Sequence, residues 1–180
     1  FINFMLYSID ALSKKIEEAI QHISFGSKPG SLYDPISYAL SVGGKRVRPL
    51  LVLLAANMFG GEVDKSLKPA IGIEIFHNFT LLHDDLMDKS DMRRGMPAVH
   101  KKWDANAAIL SGDAMLIESY RHIASVHSGI LPQIISLFSQ TAMEVCQGQQ
   151  LDMDFEKRSD VTESEYIEMI TLKTAVLLAC

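Results

Sequence analysis

Apolar side chains recur every three or four residues along most of the chain, which is the spacing of one face of an α-helix. The first such run predicts an amphipathic helix over about 5–24 and comprises Ile9, Leu12, Ile16, Ile20 and Ile23. The same spacing predicts further helices over 31–42, 49–59, about 69–87, 103–127 and 130–154, and a last one from Thr162. No segment alternates as a strand would, so we predict an all-α fold with a loop over 89–102.

Proline and capping residues support the predicted helix starts, and glycine pairs end the second and third helices. Pro49, Pro69 and Pro132 fall in predicted first turns, where the missing N–H costs least. Thr162 and Glu165 have the spacing of a capping box, which fixes the start of the last helix.

The length of the chain, with 48% hydrophobic and 22% charged residues, predicts one globular domain over 1–180. The net charge of −5 argues against nonspecific nucleic-acid binding, which needs a broad basic face. No apolar stretch reaches the roughly 20 residues that span a bilayer, and Cys146 and Cys180 have no metal or redox spacing. We therefore expect a cytoplasmic protein. The start at Phe1 and the apolar run up to Cys180 suggest a fragment.

Three aspartates crowd the end of the fourth predicted helix. Asp84 and Asp88 are four residues apart and face the same way, and Asp85 lies about 100° around the axis. Like charges there repel one another and meet the negative end of the helix dipole, unless a cation binds beside them. Magnesium commonly binds through one or two carboxylates and substrate phosphates. The cluster indicates a magnesium-diphosphate site, although a solvated helix end explains the acids alone about equally well.

Other polar residues accompany the acids. His77 falls within about 20° of Asp84 and Asp88 around the helix, so one polar line crosses an apolar helix. Arg93 and Arg94 follow the acids, and arginine suits bidentate phosphate contact. A second basic segment, "GGKRVRP", leads into a helix N-terminus and supplies Lys45, Arg46 and Arg48. Together these residues indicate a site for more than one phosphorylated group.

These segments resemble the trans-isoprenyl diphosphate synthases, the polyprenyl synthetase family that includes farnesyl and geranylgeranyl diphosphate synthases. The matching motifs occur in the family's order over nearly the whole chain and are "GGKRVRP", "HNFTLLHDDLMD", "MRRGMPAVH", "LSGDAML", "GQQLD" and "LKT". The resemblance implies a bundle of long helices around a deep central cavity, usually in a homodimer. This chain would be the N-terminal portion, because the family's second aspartate-rich motif would follow Cys180.

The resemblance also implies a reaction. Magnesium assists ionisation of an allylic diphosphate, isopentenyl diphosphate attacks the carbocation, and proton loss leaves a chain one C5 unit longer. It implies metal binding by Asp84, Asp88 and, through water, Asp152, with Asp85 in support. The residues implied for isopentenyl diphosphate are Lys45, Arg48, His77 and Arg94, with Arg46 assisting. Those implied for the allylic substrate are Arg93, Lys173 and Thr174, with Gln149 facing its apolar group.

The resemblance further implies that the wall of the cavity limits product length. Phe79 lies about 7.5 Å along the helix axis from Asp84, Phe76 lies deeper, and the small Thr80 is adjacent. A bulky aromatic here stops elongation early in the family, which predicts C15 to C20 products, with geranylgeranyl slightly ahead of farnesyl diphosphate. The alternative is that Phe79 only packs in the core.

Two other functions compete with this hypothesis. A terpene cyclase shares the fold and an aspartate-rich motif, but it has one diphosphate substrate and no need of the second set of cations. A noncatalytic regulatory subunit of a heteromeric prenyl synthase is the main alternative. Such subunits commonly lose the aspartates, whereas Asp84, Asp85 and Asp88 are all present.

Overall fold

The structure is a computed structural model that describes residues 7–180. The chain divides into two compact units, of which the first ends at Val126 and the second comprises His127–Cys180. Almost all of the regular structure is helical, which confirms the predicted all-α class. The single domain predicted over 1–180 stays a prediction.

The first unit consists of helices and one small hairpin. Its elements are α1 (Ile9–Gln21), α2 (Gly30–Ser41), α3 (Val47–Met58), α4 (Val63–Met87), β1 (Met92–Arg93), β2 (Met96–Pro97), α5 (Val99–Lys102) and α6 (Ala105–Ile123). The second unit contains α7 (Leu131–Phe155), α8 (Glu163–Ile170), a π-helical segment (Thr171–Ala175) and α9 (Val176–Ala179).

The local signals in the sequence place several helix ends correctly. Ser8 caps α1, and the predicted stripe of this helix is buried at Leu12, Ile16 and Ile20. The predicted positions 5 and 6 of this helix lie outside the described residues. Thr162 and Glu165 form both halves of the capping box that was predicted to start α8.

Helix α4 begins at Val63, six residues before the predicted start near Pro69. Pro69 lies inside the helix, where it removes one backbone hydrogen bond. Tertiary contacts stabilise the additional turn, because Val63 is buried and Asp64 accepts a hydrogen bond of 2.8 Å from Lys15 Nζ on α1. The local proline signal was therefore wrong about this boundary.

The predicted loop over 89–102 contains β1, β2 and α5. Residues Met92 and Arg93 pair antiparallel with Pro97 and Met96, respectively. Strands of two residues are too short to show an alternating pattern in the sequence, and the prediction of no strand was therefore wrong for these residues.

The core of the first unit is built around α4, which packs against α3 and α6. Ile71, Ile75 and Leu82 of α4 are buried together with Leu53 of α3 and Met115 of α6. Because the core is closely packed, the C-terminal end of α4 and its three aspartates are held rigidly.

No helix among residues 7–180 is both long enough and apolar enough to cross a membrane.

We predict that Gly72→Ala destabilises the first unit, because α4 and α6 approach each other closely at this glycine. A Cβ there would lie 2.7 Å from Ile123 Cγ1 and 3.0 Å from the backbone nitrogen of Ile123. Overpacking of this kind costs about 1–3 kcal/mol, which denaturant unfolding measures. Gly30→Ala is the matched control, since an added Cβ at this first helical residue meets only the Asp34 side chain. A Gly72→Ala variant as stable as Gly30→Ala would contradict the packing at this site.

Candidate functional site

Helix α4 carries two lines of polar side chains. Glu74, Asn78 and Asp85 fall within about 40° of one another around the axis and are buried. His77, Asp84 and Asp88 form the neighbouring line, which becomes exposed toward the C-terminal end. A buried carboxylate needs a partner, and each of the two on the first line has an arginine.

Arg93 is the partner of Asp85. Its Nε lies 3.0 and 3.1 Å from the two carboxylate oxygens of Asp85, and its Nη2 donates to Asp85 Oδ1 and, at 3.5 Å, to Asp84 Oδ2. The hydrogen bonds to Asp85 raise the pKa of Arg93. The structure thus brings Arg93, Asp84 and Asp85 together, with Asp85 holding the guanidinium. The roles predicted for these residues toward metal and substrate stay predictions.

The hairpin fixes the direction of Arg94. Arg94 and Gly95 form its two-residue turn and both have positive φ, 51° and 79°, as a type I′ turn requires. At the base of the hairpin, Tyr38 donates a hydrogen bond of 2.8 Å to the carbonyl of Pro97. The guanidinium of Arg94 lies against Gly44, where a Cβ would be only 2.6 Å from Nη1. Because the end of the Arg94 side chain can move, the stronger requirement for glycine at position 44 is its φ of 147°, within the basic turn (residues 43–49, GGKRVRP).

Arg46 is the partner of Glu74. Its Nη1 donates to Glu74 Oε1 at 2.7 Å and its Nη2 to the carbonyl of Leu40 at 2.7 Å. The side chain is 6% exposed. These internal partners occupy the guanidinium, so the assisting role toward isopentenyl diphosphate that the resemblance implied stays a prediction.

His77 is neutral and faces a group of arginines. Burial, and then Arg48, Arg94, Arg46 and Arg93, lower the pKa of His77 to about 3. Arg48 Nη1 lies 3.2 Å from His77 Nε2. Because the guanidinium only donates, Nε2 is the acceptor and Nδ1 carries the hydrogen.

Arg48 and Arg94 are two further cations near His77, and the charge of Glu74 only partly offsets theirs. Burial lowers the pKa of Arg48, and burial with the charges of Arg46 and Arg93 lowers that of Arg94. Within residues 7–180, neither makes an ion pair with a carboxylate. Lys45 is exposed beside them. The group therefore suits an anion with several oxygens, such as a phosphate or diphosphate.

Asp84 and Asp88 are the acids of the site that face away from the buried line. The two residues are one turn apart, and the Asp88 N–H donates to the Asp84 carbonyl at 2.8 Å at the helix end. In the described part of the chain, no three His, Cys, Asp or Glu side chains come close enough to hold a metal together. Arg93 holds the third carboxylate, that of Asp85. Asp84, which also lies 3.5 Å from Arg93 Nη2, and Asp88 supply hard oxygen donors of the kind that magnesium binds together with water and phosphate.

The second unit carries the other predicted site residues. Lys173 forms an ion pair with Asp152, and it lies in the π-helical segment, a local irregularity that is frequent at functional sites. Gly148 lies against the backbone of Lys173, so this close approach depends on the missing side chain. Thr174 is exposed, and Gln149 Nε2 is buried without a hydrogen-bond partner among the described residues. The predicted roles of these four polar residues stay predictions.

The predicted chain-length residues lie one turn and more before the acids on α4. The rings of Phe76 and Phe79 are 5.6 Å apart, and Phe79 also makes an edge contact of 4.8 Å with His83. Phe76 is buried, whereas Phe79 is half-buried and packs partly against the core. Thr80 Oγ1 donates to the His77 carbonyl at 2.8 Å. Core packing is therefore part of the role of Phe79, and its effect on product length stays a prediction.

Several residues that position the side chains of the site were not predicted from the sequence. Glu74 and Asn78 are buried and hydrogen-bonded to each other, and Gly44 and Tyr38 support the hairpin. The signal for the first two was present, because Glu74, Asn78 and Asp85 share one helix face that is otherwise apolar.

Comparison with known proteins identifies relatives along nearly the whole chain. The family model for polyprenyl synthetase matches residues 29–180. Geranylgeranyl diphosphate synthase from Methanosarcina mazei is 43% identical over 169 residues, covering 93% of this chain and 52% of that protein. Geranylfarnesyl diphosphate synthase from Natronomonas pharaonis is 40% identical, covering 91% of this chain and 53% of that protein.

Solved structures agree with this result. A crystal structure of geranylgeranyl pyrophosphate synthase superposes with a TM-score of 0.93 at 49% identity, covering 97% of this chain and 53% of that chain. The chain thus spans about half the length of the relatives that it matches.

We predict that His77 makes folding sensitive to acid. The unfolded chain binds a proton at His77 below about pH 6.5 and the folded chain only near pH 3, so the free energy of unfolding falls as the pH falls between these values. The slope from one such group is at most about 1.4 kcal/mol per pH unit. Urea unfolding between pH 4.5 and 7.5 should show a shallower slope for His77→Gln. His127→Gln, at an exposed histidine, is the control. Equal slopes in wild type and His77→Gln would contradict a neutral, buried His77.

Proposed function

Because this chain belongs to the polyprenyl synthetase family, we propose that its protein is a prenyltransferase that condenses isopentenyl diphosphate with an allylic diphosphate. The observation that carries the proposal is the arrangement around α4. Arg48 and Arg94, which form no ion pair within residues 7–180, lie near a neutral His77, and a pair of carboxylates follows on the same helix. Relatives named geranylgeranyl and geranylfarnesyl diphosphate synthase support this reaction class.

The basic turn and the hairpin supply the cations for isopentenyl diphosphate. Arg48 and Arg94 carry permanent charge, and the exposed Lys45 adds a third cation beside them. His77, with its hydrogen on Nδ1, offers one further neutral donor. Partial burial strengthens these contacts, because charges interact more strongly where water is excluded.

The acid pair and Arg93 serve the allylic diphosphate. Asp84 and Asp88 would hold magnesium, which neutralises charge on the departing diphosphate. Asp85 orients the Arg93 guanidinium, so that its Nη2 lies 3.5 Å from Asp84 Oδ2. The roles toward the allylic diphosphate that the resemblance implied for Lys173 and Thr174 are part of the proposal. Stabilisation of the leaving group in this way promotes ionisation to an allylic cation.

The apolar part of α4 is proposed to form the wall along which the product grows. Phe76 and Phe79 lie on the N-terminal side of the acids and contact each other. Their rings limit the space for the tail, which favours C15 to C20 products. The predicted homodimer remains part of the proposal.

The alternative of a noncatalytic regulatory subunit is not favoured. Such a subunit has no need of the acids, whereas here Asp85 is buried and bonded to Arg93, and Asp84 and Asp88 flank it. Relatives that are named as synthases also favour the enzyme.

We predict that Asp84→Ala in the full-length protein lowers kcat for condensation about 100-fold or more, since the lost metal ligand contributes several kcal/mol to stabilising the leaving group. Steady-state kinetics with isopentenyl diphosphate, an allylic diphosphate and magnesium measures this. Asp91→Ala is the matched control, because this exposed carboxylate pairs only with Lys101 at the surface. Turnover by Asp84→Ala equal to that of Asp91→Ala would refute the assignment of the metal site.

We predict that Phe79→Ala lengthens the products, because removal of the ring opens the wall beside Phe76. Chromatography of the dephosphorylated products should show a shift toward chains at least one C5 unit longer. Leu81→Ala is the control, a similar truncation of a half-buried residue two positions along the same helix. An unchanged product distribution in a Phe79→Ala variant that melts normally would show that Phe79 serves packing alone.

A further inference from the structure

We propose that Glu74 is a positioning residue for the isopentenyl diphosphate subsite. Through its ion pair with Arg46 it fixes the basic turn that presents Lys45 and Arg48. The inference rests on the proposed function and adds to it a buried residue that touches neither substrate.

The carboxylate of Glu74 is held on more than one side. Its side chain is 3% exposed, and Oε1 accepts hydrogen bonds from Arg46 Nη1 at 2.7 Å and from Asn78 Nδ2 at 3.0 Å. Asn78 Nδ2 also donates to the Glu74 carbonyl at 2.8 Å, which fixes the amide itself. A buried charge in such a setting persists only with its partner in place. Glu74 therefore dictates where the guanidinium of Arg46 lies.

Arg46 links Glu74 to the basic turn, because Arg46 itself belongs to this turn. Its guanidinium bonds Glu74 of α4 and the Leu40 carbonyl of α2, and its Nε lies 3.6 Å from Glu17 Oε1 of α1. Its backbone is left-handed, with φ 47°, at the residue that immediately precedes α3. That conformation is unfavourable for a residue with a side chain, and the surrounding bonds maintain it.

The residues next to Arg46 depend on this conformation. Arg48 is two residues on in the first turn of α3, and its Nη1 reaches His77 at 3.2 Å. Gly44 is two residues back and receives the guanidinium of Arg94. Glu74 and His77 lie three residues apart on α4. The Glu74–Arg46 ion pair therefore also fixes the position of the basic turn relative to His77. The contact of Arg48 with His77 and that of Arg94 with Gly44 thus both depend on the position of the turn that the Glu74–Arg46 ion pair holds.

If Glu74 acted only through its negative charge, its loss would change the binding of isopentenyl diphosphate in the direction opposite to a loss of positioning. Its negative charge raises the pKa of both Arg48 and Arg94, and so partly offsets their positive field. Removing that charge alone would strengthen anion binding. Positioning predicts the reverse, a weaker isopentenyl diphosphate subsite, and the sign of the change separates the two effects.

The allylic subsite offers an internal comparison, because a different ion pair supports it. Arg93 is held by Asp85 and not by Glu74. Loss of the Glu74–Arg46 pair should therefore change the KM for isopentenyl diphosphate and leave the KM for the allylic diphosphate and kcat nearly unchanged.

The test uses the full-length protein and three variants, Glu74→Gln, Arg46→Lys and the double variant Arg46→Met/Glu74→Leu. The apolar pair avoids a buried unpaired charge, so it keeps the fold where a single change would weaken it. Loss of one charge-assisted contact corresponds to about a 10-fold rise in the KM for isopentenyl diphosphate. Arg46→Lys, which keeps the charge but reaches fewer partners, should give a smaller rise. The control removes the exposed ion pair of Lys15 and Asp64 by Lys15→Gln/Asp64→Asn.

Steady-state kinetics and calorimetric titration with isopentenyl diphosphate give separate readouts. Weaker binding of this substrate in Glu74→Gln, at wild-type melting temperature and with unchanged allylic KM, supports positioning, because removal of the negative charge alone would strengthen binding. Unchanged or tighter binding in the same variant overturns it, as does an equal rise of both KM values. Wild-type protein that forms no condensation product refutes the proposed function, and the calorimetric comparison then decides on Glu74 by itself.

Discussion

The pairing of buried carboxylates on α4 with arginines from two neighbouring segments is the interaction on which the rest of the site depends. Glu74 and Asp85 lie in an apolar helix face, where a carboxylate without a partner costs several kcal/mol. Arg46 and Arg93 supply the partners, and each comes from a segment that contains left-handed backbone. Two segments without extensive regular structure are thereby fixed to one rigid helix.

This arrangement separates charges that would otherwise neutralise one another. Arg46 and Arg93 form ion pairs with the buried acids. Arg48 and Arg94 form no ion pair with a carboxylate among the described residues. Burial and the charges of the nearby arginines lower the pKa of His77 and keep it neutral. His77 therefore adds a hydrogen-bond donor to the site without adding charge. In the function that we propose, the positive group would bind one diphosphate and the acid pair would hold the metal of the other.

Periodicity in the sequence predicts the helices and most of their ends, because the repeat of Leu12, Ile16 and Ile20 and the box of Thr162 are local features. The types and order of the acids and cations identify the residues that we propose for the site, and this part stays a prediction. Periodicity fails where distant partners decide the outcome. Burial of Val63 extends α4 past Pro69, and the ion pair with Glu74 turns Arg46 inward. Helical spacing marks Glu74 as a polar residue on an apolar face, but only the fold shows its arginine.

The central claim is that one site on α4 receives two diphosphates and joins their hydrocarbon parts. Product analysis of the full-length protein with labelled isopentenyl diphosphate, dimethylallyl diphosphate and magnesium tests it most directly. The account predicts labelled allylic diphosphates of C15 to C20, formed only when both substrates and the metal are present. Recovery of both substrates unchanged, or an unlabelled hydrocarbon formed from dimethylallyl diphosphate without incorporation of isopentenyl diphosphate, would contradict it.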